Sequence, residues 1–181
     1  MRIIAGTHRG RRLEAPADQA VRPTADRVRE ALFSILAHRL GGFAGKRVLD
    51  AFAGSGALGL EALSRGAESA VFMDKDRTAL ALCRRNAESL GLSENSNFLY
   101  ADATKPPPTD QACGLVLLDP PYGKSLGSKA LAALAEAGWV ADGAITIIET
   151  DRTCPEDCPA GFEMLDRRDY GRTRILLLQK A

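Results

Sequence analysis

A chain of 181 residues, 45% hydrophobic and 26% charged with a net charge of +1, has the length and balance of one ordinary globular domain. No stretch nears the roughly 20 apolar residues of a membrane span. The opening MRIIAGTHRGRRLEAP lacks the apolar run and cleavage site of a secretory signal, so a cytoplasmic protein with no membrane contact is expected.

Charge is unevenly spread. Residues 1–47 carry ten Lys/Arg against four Asp/Glu, while the rest carry fourteen against nineteen. A basic end on an acidic body suits a polyanion contacted from one side, or simply a solvated arginine-rich surface. The four cysteines (Cys83, Cys113, Cys154, Cys158) are too sparse for a disulfide scaffold. The CPEDC stretch lacks the further close pair that a structural zinc site uses, so ordinary thiols and no metal are expected.

In chain order, RIIAGTHRGRRL (2–13) reads as two short strands about a Gly/His/Arg turn, and EAPADQAVRP (14–23) as a loop. Thr24 is placed to cap a helix over 25–40, where Val28, Leu32, Ile35, Leu36 and Leu40 recur at helical spacing. From Lys46 the pattern alternates. Strands are expected at 46–52, 68–74, 97–102, 113–119 and 144–149, with helices at 56–66, 77–91 and 128–138 between them. The segment TKPPPTDQA (104–112) is a loop, and 161–169 with 173–179 form a terminal hairpin about Gly171. The expected fold is α/β and Rossmann-like: a mostly parallel seven-stranded sheet with an antiparallel C-terminal hairpin and helices on both faces. Residues 1–181 are read as a single domain, with a basic β extension over 1–24 and a catalytic core over 25–181. In such sheets ligands bind at the carboxyl ends of the strands.

Three of those ends carry chemistry. Gly54, Gly56 and Gly59 spell G-x-G-x-x-G between the first strand and its helix, with Asp74 twenty residues beyond the first glycine. That spacing fits a dinucleotide loop, and a nicotinamide enzyme is a serious rival reading. Asp50, however, precedes the loop by four residues, where a carboxylate would repel a pyrophosphate and favour an ammonium group. Asp102, ending the third strand, could accept from an adenine amino group. S-adenosylmethionine has an ammonium, a sulfonium and no phosphate, and is the expected cofactor. Each aspartate alone could be a turn residue; three at consecutive strand ends beside a glycine loop point to a site.

The fourth strand ends in Asp119-Pro120-Pro121-Tyr122. The prolines fix the turn and hold a carboxylate, a carbonyl and a ring in one array. Exocyclic amino groups of bases are poor nucleophiles because the lone pair is delocalised. Asp119 and the Pro120 carbonyl can accept the two N–H hydrogens, which favours a pyramidal nitrogen, and the carboxylate offsets charge developing on it. Tyr122 offers a stacking face, and Pro121 fixes the turn. The alternative is a plain strand-ending Pro-Pro turn.

RIIAGTHRGRRL, RPTADRVREALFSIL, LDAFAGSGALGLEALSRGA and LLDPPY together resemble the bacterial 16S ribosomal RNA guanine-N2 methyltransferases, within the D/N-P-P-Y/F amino-methyltransferase class. The resemblance implies the class I methyltransferase fold, S-adenosylmethionine as donor and 16S rRNA as partner, free or within an assembling small subunit, for a monomeric enzyme. It implies roles near the methionine end of the donor for Arg22, Pro23 and Thr24, and backbone contacts from Gly54 and Ser55 alongside Gly56. Asp74 would hold the ribose, Asp102 the adenine, and Asp119, Pro120 and Tyr122 would support transfer. Arg2, His8, Arg9, Arg11 and Arg12 form the expected RNA-docking element; the competing reading packs this segment on the sheet with Ile3 and Ile4 buried. Segment 104–112 departs from the class, which commonly has a helix there. A DNA adenine-N6 or protein-glutamine methyltransferase shares the motif, and a non-catalytic dinucleotide- or RNA-binding module is a further alternative.

Overall fold

The computed structural model describes residues 1–16, 23–121, 125–154 and 156–181, with the backbone alone described for 23–25. Helix α1 (Pro23–Leu40) precedes an alternation of β1 (Arg47–Ala51), α2 (Ala57–Ser64), β2 (Ser69–Asp74), α3 (Arg77–Leu90) and β3 (Ser96–Tyr100). Next come β4 (Cys113–Leu118), α4 (Leu126–Glu136), β5 (Val140–Asp151), β6 (Phe162–Tyr170) and β7 (Thr173–Lys180). The seven strands form one sheet in the order β3-β2-β1-β4-β5-β7-β6. Strands β1 to β5 run parallel, and β7 is antiparallel to both β5 and β6. The chain order therefore reverses between β1 and β4, the switch point at which an open α/β sheet leaves a crevice.

Two buried clusters sandwich the sheet. On one face Val48, Phe72, Leu115, Leu117 and Ile147 meet Leu32, Phe33 and Leu36 of α1, Leu60 of α2 and Cys83 of α3. On the other, Leu49, Val71, Val116, Leu118 and Ile148 meet Ala130, Leu131 and Leu134 of α4. The alternation of these residues along each strand is what lets a fully buried strand feed both layers. Among the described residues, three α-helices lie on one face and one on the other. Where a further helix could have covered the second face, the loop over 101–112 is pinned to the end of α4. Trp139 Nε1 donates to the Pro107 carbonyl at 2.8 Å, and Thr109 N to the Ala137 carbonyl at 3.0 Å. Among the described residues no helix is long and apolar enough to cross a membrane.

Two local expectations change. Helix α1 begins at Pro23, so Thr24 lies in its first turn and does not cap it. Proline suits that first position, where its missing N–H has no intrahelical partner to lose. The N-terminal segment is a hairpin with a single β-bridge, Arg2 to Arg12, and not a pair of strands. Backbone bonds across it include Ile3 N to Arg11 O and Gly10 N to Ile3 O at 2.9 Å and Leu13 N to Met1 O at 3.0 Å.

Candidate active site

Parallel register places the acids. Asp50 is level with Phe72 of β2 and Leu117 of β4, so Asp74 and Asp119 each stand two residues further along their strands. At about 3.3 Å per residue, Asp50 lies roughly 6–7 Å deeper than the other two. That depth explains its burial: it is only 1% exposed, beneath the glycine loop and not at its mouth. One oxygen accepts the Gly59 N–H at 2.8 Å, capping the first turn of α2, and the other is buried with no partner among the described residues. Burial, with the fields of Asp119 and Asp74 added, pushes its pKa up to about 8. Three carboxyl groups meeting beneath and beside the loop suit a cationic ligand, whose charge would favour the ionised form of Asp50, better than a pyrophosphate. A donor carrying both an ammonium and a sulfonium fits these residues.

The glycines divide the work. Gly54 has φ +54°, and a side chain there would meet nothing closer than the Phe52 carbonyl at 3.9 Å, so a ligand can approach the backbone. At Gly56 and Gly59 an added Cβ would come within 2.4 Å of Cys83 and Phe72, so these two allow the helix to close on the sheet. Ser55 is buried; its carbonyl accepts Asn86 Nδ2 at 2.9 Å, and its hydroxyl lies 3.5 Å from the Met1 sulfur. Phe52 sits at φ 71°, an unusual conformation for a bulky residue that costs about 1–2 kcal/mol and here opens the loop. Nothing in its sequence neighbourhood marks it.

Asp74 braces the loop, accepting the Gly54 N–H and the Asp76 N–H, both at 2.9 Å. Asp102 lies two residues past β3, and one of its oxygens accepts both the N–H and the hydroxyl of Thr104. Those bonds hold its carboxyl below the usual range. Asp119 follows β4 directly and is exposed, with Pro120 buried behind it and Pro121 exposed. Desolvation by the protein around it raises the Asp119 pKa to about 6, a shift that the solvent-facing side of the residue tempers. Arg22 and Tyr122 lie outside the described residues, as do the side chains of Pro23 and Thr24.

Helix α4, which follows this motif, is capped from a distance. Glu156, in the loop after β5, accepts Gly127 N at 3.2 Å, Ser128 N at 2.9 Å and Ser128 Oγ at 2.6 Å. The middle of the CPEDC stretch is thus a helix cap, and all four cysteines are free thiols. Sequence reasoning missed Glu156 because its partners stand nearly thirty residues away.

The N-terminal hairpin lies along α2. Glu61, fully buried, accepts Ile4 N at 2.7 Å, Ala5 N at 3.0 Å and Arg65 Nε at 2.7 Å. Further along, Thr7 N reaches the Ser64 carbonyl at 2.8 Å, and a Cβ on Gly6 would overlap that same carbonyl. Ile3 is buried and Ile4 half-buried. The side chains point elsewhere: Arg9, Arg11 and Arg12 are exposed, with Arg11 donating to the Ser89 carbonyl at 2.8 Å. Arg2 pairs with Asp26 at 3.2 Å, and His8 Nδ1 bonds to Thr7 Oγ1 at 2.9 Å. Asn86 clasps the end of the segment, meeting both Glu14 backbone groups and the Ser55 carbonyl.

The family model described as conserved hypothetical protein 95 matches residues 1–179. The ribosomal RNA small subunit methyltransferase D of Escherichia coli is 39% identical, over 99% of this chain and 90% of the relative. A solved E. coli structure assigned as a methyltransferase superposes with a TM-score of 0.82 at 32% identity, over 99% of this chain and 97% of that one. The tRNA (guanine(6)-N2)-methyltransferase of Thermus thermophilus is 44% identical over 87 residues, 47% of this chain and 26% of that protein. The reversed parallel sheet is that of the class I methyltransferases, and the chain belongs to the ribosomal RNA small subunit methyltransferase D family.

Proposed function

We propose that this chain, acting as a monomer, transfers the methyl group of S-adenosylmethionine to the exocyclic N2 amino group of a guanine in 16S rRNA. The observation that carries the reading is Asp119: an exposed carboxylate at the end of β4, one strand from the glycine loop and close enough to Asp50 to raise its pKa. The partial relative that methylates guanine N2 in tRNA supports that base.

The residues divide into donor and acceptor sides. Gly54, Asp74 and Asp102 line the ends of β1 to β3 and would hold the donor, with Arg22 and Thr24 near its methionine end and Asp50 below, ionising as the cationic donor binds. When bound, S-adenosylmethionine supplies an electrophilic methyl carbon on a sulfonium. Asp119 and the Pro120 carbonyl accept the two amino hydrogens, which turns the nitrogen lone pair toward that carbon. Tyr122 stacks on the base. As nitrogen becomes positive, the Asp119 carboxylate stabilises it and stands ready to take the departing proton.

Incubation with methyl-labelled S-adenosylmethionine and separated rRNA, DNA and protein tests this. Label in rRNA is expected; label in DNA or protein alone would overturn it.

A further inference from the structure

The donor occupies one half of the rim on the reading above, and the inference here rests on it. With the glycine loop and Asp74 at the ends of β1 and β2, the open half lies over β4, β5, β7 and β6. An acceptor nucleotide reaching Asp119 brings its flanking phosphates across that half. Leu118 pairs with Ile148, so Arg152 stands three residues past the level of Asp119, on the neighbouring strand and roughly 10 Å further out.

Arg152 is held in place by its backbone. Its N–H donates to the Arg172 carbonyl at 2.7 Å, joining the end of β5 to the β6–β7 turn. Asp151 locks that junction. One of its oxygens accepts Thr153 N at 2.8 Å, and the other accepts the Arg172 guanidinium at 2.9 Å. The Arg172 side chain nevertheless remains 87% exposed. Beside it Asp169 takes both arms of Arg174, at 2.7 and 2.9 Å, and Arg168 pairs with Asp166. Arg152 and Arg167 are exposed, and their side chains have no hydrogen bond or ion pair among the described residues. Both lie close to Asp169, whose carboxyl is held below its usual range first by the Arg174 bond and further by the fields of Arg174, Arg152 and Arg167. Of the acids here, Glu156 is committed to α4 and Asp151, Asp166 and Asp169 to arginines; Glu149 is half-buried on β5, Asp157 is exposed, and Glu163 lies at the far end of β6.

We propose that Arg152, Arg167 and Arg172 form an RNA-docking surface that holds the phosphate backbone beside the target nucleotide. A polyanion matches this surface. Two exposed guanidinium groups without a partner among the described residues, and a third, Arg172, that stays largely exposed while paired to Asp151, suit phosphate contacts that position a substrate and carry no sequence information.

The test uses the full chain and an unmodified 16S rRNA transcript. In an Arg152→Ala/Arg167→Ala variant, the slope of log affinity against log salt should become shallower by about 0.7–0.9 for each phosphate no longer neutralised. KM for RNA should rise about tenfold, with kcat at saturating RNA, melting temperature and S-adenosylhomocysteine affinity unchanged. An Arg152→Lys/Arg167→Lys variant should restore the slope. A wild-type slope and KM in the alanine variant would overturn the surface, as would lysine variants no better than alanine. If the wild type binds this transcript but never methylates it, the proposed activity fails instead, and the salt slope still judges the surface.

Discussion

Asp119 and Asp50 are both carboxylates at strand ends, and two residues of register give them different work. On the proposed mechanism Asp119 meets the acceptor amine and not the donor. Asp119→Ala should therefore lower kcat by about two orders of magnitude, the usual worth of one preorganised electrostatic partner, with little change in S-adenosylhomocysteine affinity by calorimetry. Because the ionised form is the acceptor, activity should rise with pH through about 6, or somewhat lower once a cationic donor is bound. Asp50 is the buried case. Its folded pKa of about 8 lies above the ordinary value of 3.8, so the folded state holds an extra proton between the two. Without ligand, stability should fall as pH rises across that window. In Asp50→Asn that decline should vanish from thermal melts, leaving a variant more stable than the parent above pH 8 and weaker in binding the donor. A parent whose melting temperature is flat from pH 4 to 8 would contradict the buried, unpaired carboxylate. Sequence alone could place Asp50 beside the loop, but its depth depends on which residues of β2 and β4 lie level with it.

Elements were the most legible scale, because glycines, prolines and the change from alternation to helical spacing mark their ends. What stayed hidden was long-range pairing. Glu156 caps α4 across nearly thirty residues, and Glu156→Ala should cost about 1 kcal/mol in denaturant unfolding, as the removal of a helix cap does. It should also lower kcat, since α4 anchors the far side of the Asp119 motif. The N-terminal hairpin was legible as a turn rich in arginine, not as a partner for Glu61. Deleting Met1 to Arg12 exposes buried surface under Ile3 and strips Glu61 of two donors. Burying one such side chain is worth about 1.5–3 kcal/mol, and each kcal/mol shifts melting by about 2–4 °C in a domain of this size. The truncated protein should melt markedly earlier with or without RNA. Arg9→Gln/Arg11→Gln leaves those anchors intact, so it should keep the parent melting temperature while weakening RNA affinity and flattening its salt dependence. Unchanged RNA affinity would rule out the hairpin tip as an RNA-docking element.

At the scale of the whole molecule, the topology separates tasks. Strands β1 to β3 present a glycine loop with Asp74 and Asp102 at the rim and Asp50 beneath, β4 presents the carboxylate assigned to the acceptor, and β5 to β7 present arginines on the open side. The alternating pattern made this architecture readable, since strands joined by helices leave few choices but a parallel sheet. The choice of base was not readable in the same way. Guanine N2 and adenine N6 offer Asp119 similar amino groups, and only the walls around the base can tell them apart. The most direct test is therefore the product. Unmodified 16S rRNA treated with the protein and S-adenosylmethionine would be digested and its nucleosides resolved by mass spectrometry. N2-methylguanosine at a single site is expected, absent from the Asp119→Ala reaction. N6-methyladenosine, or N2-methylguanosine formed equally well without Asp119, would contradict it.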